Sequence, residues 1–247
     1  MFITLFLVVS LSLYGGNAHA KRKTLTIEEQ YELGQKYLNR GYYIKALEQF
    51  NRIRNYHRDD PLSVKAELAI ADVYFKKNEW DQARLAYDDF MRMHPHHEEL
   101  DYVVYKIGQS LQKKAPQAAG RDQTWTRQVV NTWTGFANRY PDSEYLDDVL
   151  SELDECRERL ARKEMHIASF YRRRKAWNAV VGRAEAMVER YPQSVHVASA
   201  MSLLAESYAW IGEAEKSNKA LERLRELDPR LFRLTKTRLA RVKVEAE

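Results

Sequence analysis

The stretch from Asp60 to Gly108 constrains the fold of this chain more than any other. It reads as one complete helix–turn–helix unit, a proline corner and the opening of the next unit. Asp60-Pro61 places an N-cap before a proline at the first helical position, where the missing N–H costs nothing. Leu68, Ile70, Ala71 and Tyr74 recur at helical spacing, and Asn78 stands where that helix must end, a residue that tolerates a left-handed turn. Trp80, Ala83, Tyr87 and Phe90 form a second apolar stripe, and Pro95 closes the unit.

Helix, short turn, antiparallel helix and proline is the tetratricopeptide pattern. One such unit cannot bury its apolar face alone, so its neighbours must repeat it. They do. Thr26-Ile27-Glu28-Glu29 is a capping box, Gly41 fits a helix stop, and Gly34 and Ala46 are small where two backbones must approach. Tyr37 and Phe50 fill the space between layers. Val104, Ile107, Gly108 and Leu111 open a third unit, whose second helix resumes with Val129, Trp133 and Phe136 after an insertion at 113–126. Ser143 to Arg174 carries neither proline nor glycine and predicts one long helix serving two layers, with an apolar stripe that includes Leu146, Val149, Leu150, Leu153, Cys156, Leu160 and Ala168. Trp177, Val180, Ala184 and Met187 mark its partner. Met201, Leu204, Ala205, Tyr208, Leu221 and Leu224 mark a fifth unit. Pro95, Pro141, Pro192 and Pro229 fall at unit ends. The expectation is an all-α solenoid of about five tetratricopeptide repeats, repeats 1–2 over 26–95 and repeats 3–5 over 96–229. A C-terminal capping helix and tail over 230–247 carries Leu231, Leu234, Leu239 and Val242.

Residues 1–20 hold an apolar run from Phe2 to Tyr14 and an A-x-A site, Ala18-His19-Ala20, ahead of a short basic segment at 21–25. This reads as a signal peptide cut after Ala20, with an uncleaved anchor or a misplaced start as the alternative. Export implies the periplasm or the cell surface. The net charge of +5, from 40 basic and 35 acidic residues interspersed, gives no nucleic-acid footprint. The single cysteine excludes an internal disulfide and a multi-cysteine metal site. No phosphate-binding glycine loop, nucleophile elbow or supported carboxylate pair is present, so the reading carries no catalytic, cofactor or metal residue. His94, His96, His97, Glu98 and Glu99 are metal-like in type, but neighbours on an extended corner rarely converge on one ion.

Several motifs together resemble the BamD family, the five-repeat periplasmic component of the outer-membrane β-barrel assembly machinery. They are Pro95-x-His97 with Asp101-Tyr102 and Tyr105-x-x-Gly108; Arg121-Asp122 in the insertion; and Phe136 with Arg139-Tyr140-Pro141-x-Ser143-x-Tyr145. Leu160-Ala161-x-x-Glu164-x-x-Ile167-Ala168-x-x-Tyr171-x-x-Arg174 and Trp177-x-x-Val180-Val181-x-Arg183-x-Glu185, ending at Tyr191-Pro192, complete the set. The resemblance covers about residues 26–229. It implies a non-catalytic scaffold that docks the periplasmic domain of a β-barrel insertase through its C-terminal units and receives unfolded outer-membrane protein segments in its N-terminal half. Arg174, Arg183, Glu185, Arg121 and Asp122 become docking candidates on that basis. Pro95, His97, Asp101 and Tyr102 become a structural corner. Tyr42, Tyr43 and Tyr56 are candidates to line a groove for an extended peptide, because aromatic side chains supply contact area at little entropy cost. The family carries a lipidated cysteine at its mature N-terminus, whereas here Asn17 follows Leu13-Tyr14-Gly15-Gly16. The expected attachment to the membrane is therefore through protein partners. A soluble envelope adaptor for another complex, such as one regulating cell-wall synthesis or division, is the alternative. Two basic runs are left over. Arg172-Arg173-Arg174-Lys175 reads either as a solvated helix end or as a surface for an acidic partner, and the final helix with Arg230, Arg233, Lys236, Arg238, Arg241 and Lys243 reads either as a solvated capping face or as a surface for anionic lipid.

Overall fold

The computed structural model describes residues 25–246, so the expected signal peptide and most of the basic segment lie outside the described residues. Among those residues the chain is all-helical and without strands. Its elements are α1 (Ile27–Asn39), α2 (Tyr43–Tyr56), α3 (Pro61–Lys76), α4 (Trp80–Met93), α5 (Leu100–Lys114), α6 (Thr124–Trp133), α7 (Phe136–Arg139), α8 (Leu146–Arg173), α9 (Trp177–Arg190), α10 (Val197–Trp210), α11 (Ala214–Leu227) and α12 (Pro229–Ala246). Pairs α1/α2, α3/α4, α5/α6–α7, α8/α9 and α10/α11 make five stacked units, and α12 closes the last against α10 and α11.

The starts and stops follow from local chemistry. Thr26 Oγ1 accepts from Glu29 N–H at 3.2 Å and Glu29 Oε2 accepts from Thr26 N–H at 3.0 Å, a complete capping box. Asp60 Oδ1 accepts from Leu62 N–H at 2.8 Å with Pro61 behind it. Asn78 (φ 63°) and Gly41 (φ 75°) take the left-handed conformation that ends α3 and α1. At Gly34 a Cβ would lie 2.6 Å from Phe50 Cε1, so the close approach of α1 and α2 depends on glycine there.

Three apolar clusters run through the stack. The first joins Leu38, Ala46, Phe50 and Ile53 to Ala66, Ile70 and Val73. The central one runs from Ala71, Tyr87 and Phe90 through Val104, Ile107 and Trp133 to Val149, Leu153 and Cys156. The third gathers Ala161, Ala184, Met187, Met201, Leu204, Tyr208 and Leu224, with Leu231, Phe232 and Leu239 of α12 packed on it. The long helix does serve two layers: its N-terminal half supplies Val149, Leu153 and Cys156 to the central cluster, its C-terminal half Ala161 to the third.

Several boundaries and faces differ from the sequence reading. The second helix of unit three breaks at Thr134, whose extended backbone leads into Gly135 at φ 78° before α7 begins. The insertion is shorter than 113–126, since α5 runs to Lys114 and α6 starts at Thr124. Pro229 opens α12 rather than closing a unit: Asp228 Oδ1 accepts from the N–H groups of Arg230 and Leu231, both at 2.9 Å. Leu150 and Leu234 are solvent-exposed, off the apolar stripes assigned to them. The side chain of Val242 lies outside the described residues.

Candidate partner-binding surfaces

The corner between units two and three is built around Asp72. Its Oδ1 accepts from Tyr87 Oη at 2.6 Å and from Tyr102 Oη at 2.7 Å, joining α3, α4 and α5 at one oxygen. Burial pushes the Asp72 carboxyl up, more than the two phenol hydrogen bonds lower it, and burial beside Asp72 pushes both phenols up in turn. Lys106 lies 4.4 Å from the Phe75 ring centre, and burial lowers its pKa against the opposing pull of Asp72. His97 Nδ1 accepts from Glu99 N–H at 3.2 Å, and its ring meets Phe90 edge-on at 5.0 Å. Asp101 Oδ2 accepts from Ser143 Oγ at 2.6 Å, tying this corner to the next.

The same device recurs along the stack. Each of three proline corners is tied to a carboxylate on the first helix of the preceding unit: His94 to Glu67 at 2.7 Å, Ser143 to Asp101, and Ser194 to Glu158 at 2.9 Å. Pro95, His97, Asp101 and Tyr102 thus lie at or beside the tied corner between units two and three.

The docking candidates fall in three places. Arg183 Nη1 on α9 pairs with Glu164 Oε2 on α8 at 3.2 Å, with the arginine half-exposed. The loop at 115–123 runs against the same part of α8: a Cβ on Gly120 would lie 3.3 Å from His166 Nε2. In that loop Asp122 Oδ1 accepts from Thr124 Oγ1 at 3.0 Å, and this bond, with help from Lys163 and Arg127, holds its carboxyl below the usual range. Gln123, fully buried, fixes the loop by donating to the carbonyls of Pro116 (3.2 Å) and Ala118 (3.0 Å). Asp122, Lys163, Glu164 and Arg183 therefore share one region, with the exposed Arg121 beside Asp122. Glu185 is two residues from Arg183, on the other side of α9. It accepts from Tyr208 Oη and lines a cavity of about 500 Å³ with Val188, Met201, Leu204 and Arg223. Arg174 is at the far end of α8, its guanidinium 3.6 Å from the Phe170 ring centre.

The three groove tyrosines do not form one cluster. Tyr42 precedes α2 and packs edge-on against Tyr37 at 6.3 Å. Tyr43 and Tyr56 are the first and last residues of α2, about 20 Å apart along its axis. A cavity of about 310 Å³ lies instead between α2 and α4, lined by Asn51, Arg54, Ile70, Tyr74, Leu85, Asp89 and Met93 among others. Leu85 and Met93 are both more than half exposed. Sequence reasoning missed these two because each lies beside the buried stripe of α4 rather than on it. It also missed Glu206, which is buried and accepts from Arg172 at 2.8 Å and Arg238 at 2.9 Å. Trp210 went unread as well, although it stands one repeat after Trp177, on which it stacks.

Among the described residues no helix is long and apolar enough to cross a membrane. Residues 23–224 match the family model described as YfiO, outer membrane lipoprotein. The outer membrane protein assembly factor BamD of Xylella fastidiosa strain 9a5c is 26% identical over 230 residues, 88% of this chain and 79% of that protein. The protein of the same name from Pasteurella multocida is 29% identical over 190 residues, 73% of each. Among solved structures, the TPR2AB domain of yeast Sti1 in its pHSP90 complex aligns with a TM-score of 0.44 at 14% identity, covering 86% of this chain and 82% of that one.

Proposed function

The chain belongs to the YfiO outer membrane lipoprotein family, and from that premise we propose that it serves outer membrane protein assembly as a non-catalytic periplasmic scaffold. The observation that carries this reading is the family match, which runs from before α1 into α11 of the fifth helix pair. In this scheme the C-terminal units dock the periplasmic domain of a β-barrel insertase. The region around Arg183, Glu164, Asp122 and Arg121 suits that role, because it gathers charges of both signs from α8, α9 and the insertion loop on rigid elements. The N-terminal units receive unfolded outer-membrane protein segments. The groove between α2 and α4 supports this, since it offers exposed Leu85 and Met93 over the aromatic floor of Tyr74.

The test is co-purification. The tagged protein is recovered from the envelope in gentle detergent, and the expected companion is a β-barrel insertase. Recovery of a cell-wall synthesis or division complex in its place would overturn the proposal.

A further inference from the structure

The end of the stack where α8 turns into α9 carries two features that scaffold docking does not use. One is aromatic. Phe170 is exposed, and the rings of Trp177 and Trp210 stack at 5.3 Å with planes 2° apart across the α8–α9 and α10–α11 turns. The other is basic. Arg173, Arg174 and Lys175 are all exposed, and none has a carboxylate partner within ion-pair distance among the described residues. Lys175 holds φ 55° and so sits at the tip of a tight turn.

The second basic run comes to the same end. Thr235 Oγ1 lies 2.6 Å from Ser202 Oγ, and one turn further on Arg238 reaches Glu206. Thus α12 runs alongside α10 in the same direction, and Glu206 joins Arg238 to Arg172 at the end of α8. Arg241, exposed, continues along α12 toward the Trp210 end. No acidic residue occurs between Pro229 and Arg241. Two basic runs far apart in sequence thereby become one positive end with aromatic rings set into it.

We propose that this end, made by Phe170, Arg173, Arg174, Lys175, Trp210 and Arg241, lies against an anionic phospholipid surface. Indole and phenyl rings beside arginine and lysine are the composition that favours the headgroup layer, where the ring enters the boundary and the cation stays with the phosphates. Each such cation near an anionic surface adds attraction that salt screens. The patch consists of helix ends and turn tips rather than a pocket. A protein partner's anchor residues would need a pocket to be desolvated. Arg174 then belongs to the lipid-facing end, while Arg183 remains with the insertase.

Vesicle co-sedimentation of the purified exported protein tests this. Vesicles of phosphatidylethanolamine with a third phosphatidylglycerol are compared with phosphatidylcholine vesicles at low and at 0.5 M salt. The expected result is binding to the anionic vesicles alone, lost at high salt. The combined variant Arg173→Glu, Arg174→Glu, Lys175→Glu should lower the bound fraction at least tenfold, and Phe170→Ser several-fold, with thermal melts unchanged. A control with the same charge change around the α1–α2 turn, Lys36→Glu, Arg40→Glu, Lys45→Glu, should bind as the parent does. Equal binding to both vesicle types, or an equal loss in the control, would overturn the proposal. So would persistence of binding in the tip variant.

Discussion

Trp133 fills the space that Gly108 leaves open. A Cβ on residue 108 would lie 2.1 Å from Trp133 Cε2, and the indole Nε1 donates to Val104 O at 3.3 Å from that position. The contact joins α5 to α6 at the centre of the stack, where Trp133 is fully buried. The ring is pinned by its hydrogen bond and by Tyr105 stacked at 6.4 Å, so it cannot yield to a methyl group.

Gly108→Ala should therefore destabilise the protein by about 2–3 kcal/mol through overpacking. For a chain of this size that corresponds to a fall in Tm of roughly 5–10 °C. Gly34→Ala, against the end of the Phe50 ring, should cost about 1–2 kcal/mol. Gly182 is exposed within α9 with nothing within 4 Å of its added Cβ, so Gly182→Ala should stabilise by about 0.5–1 kcal/mol through helix propensity. Thermal melts of the three variants should rank in that order.

Asp72 gives a pH-dependent signature. Its folded pKa is raised by burial above the unfolded value, against the lowering pull of Tyr87, Tyr102, Lys106 and Lys76. A carboxyl of this kind contributes stability that is fully present below the unfolded pKa and is lost as pH rises through the folded pKa. Asp72→Asn keeps an acceptor for both phenols and removes the ionisation, so its stability relative to the parent should rise between pH 4 and pH 7. Asp72→Ala strands the hydroxyls of buried Tyr87 and partly buried Tyr102 and should cost about 2–3 kcal/mol at either pH. Urea unfolding at both pH values distinguishes the two, and a parent–Asn difference independent of pH would contradict the assignment.

The parts of this fold that were legible in sequence are those set by local chemistry. Thr26, Asp60, Asn78 and Gly41 mark helix ends through caps and turns that need no distant partner. The long helix could be read because nothing between Ser143 and Arg174 can break one. The break at Gly135 was not legible, because a single glycine within an apolar stripe is compatible with a continuous helix and only the packing of Phe136 decides otherwise. Asp228-Pro229 has the same signature as Asp60-Pro61, but the other prolines at unit ends masked it. The candidate surfaces were less legible still. Arg183 and Glu185 look like one cluster in sequence, yet helical geometry gives them to α8 and α10 respectively. The joining of Arg172 and Arg238 through Glu206 depends on the path of α12, which no local signal specifies.

Arg183→Glu should weaken insertase recovery at least tenfold, but it also places a second carboxylate against Glu164, whose side chain is only 14% exposed. A cleaner test is the swap Arg183→Glu with Glu164→Arg, which restores the internal pair with its polarity reversed. The swap should melt within a few degrees of the parent, since it restores an ion pair between the same two positions. Its co-purification with the insertase should still be lost, because a docking partner complementary to the original charges now meets the opposite ones. Restored docking in the swap would mean that Arg183 matters only through its bond to Glu164.

Glu206 holds the last helix in place. Its carboxylate is 6% exposed and bonds Arg172 on one side and Arg238 on the other, so it links α8, α10 and α12. Glu206→Ala removes the only carboxylate within ion-pair reach of either guanidinium among the described residues and leaves the two positive charges facing one another. Both arginines are nearly half exposed and can turn to water, which reduces the cost from that of a fully buried pair to about 1–3 kcal/mol. The loss should be local, because α12 is the last described element and packs mainly on α10 and α11. Hydrogen exchange should therefore speed up across α12 by tenfold or more while α1–α6 keep their protection, and trypsin should cut first at Arg230 or Arg233. Glu206→Gln retains an acceptor and should show a smaller effect in the same place. Uniform loss of protection along the stack would instead make Glu206 part of the global core rather than the clamp on its cap.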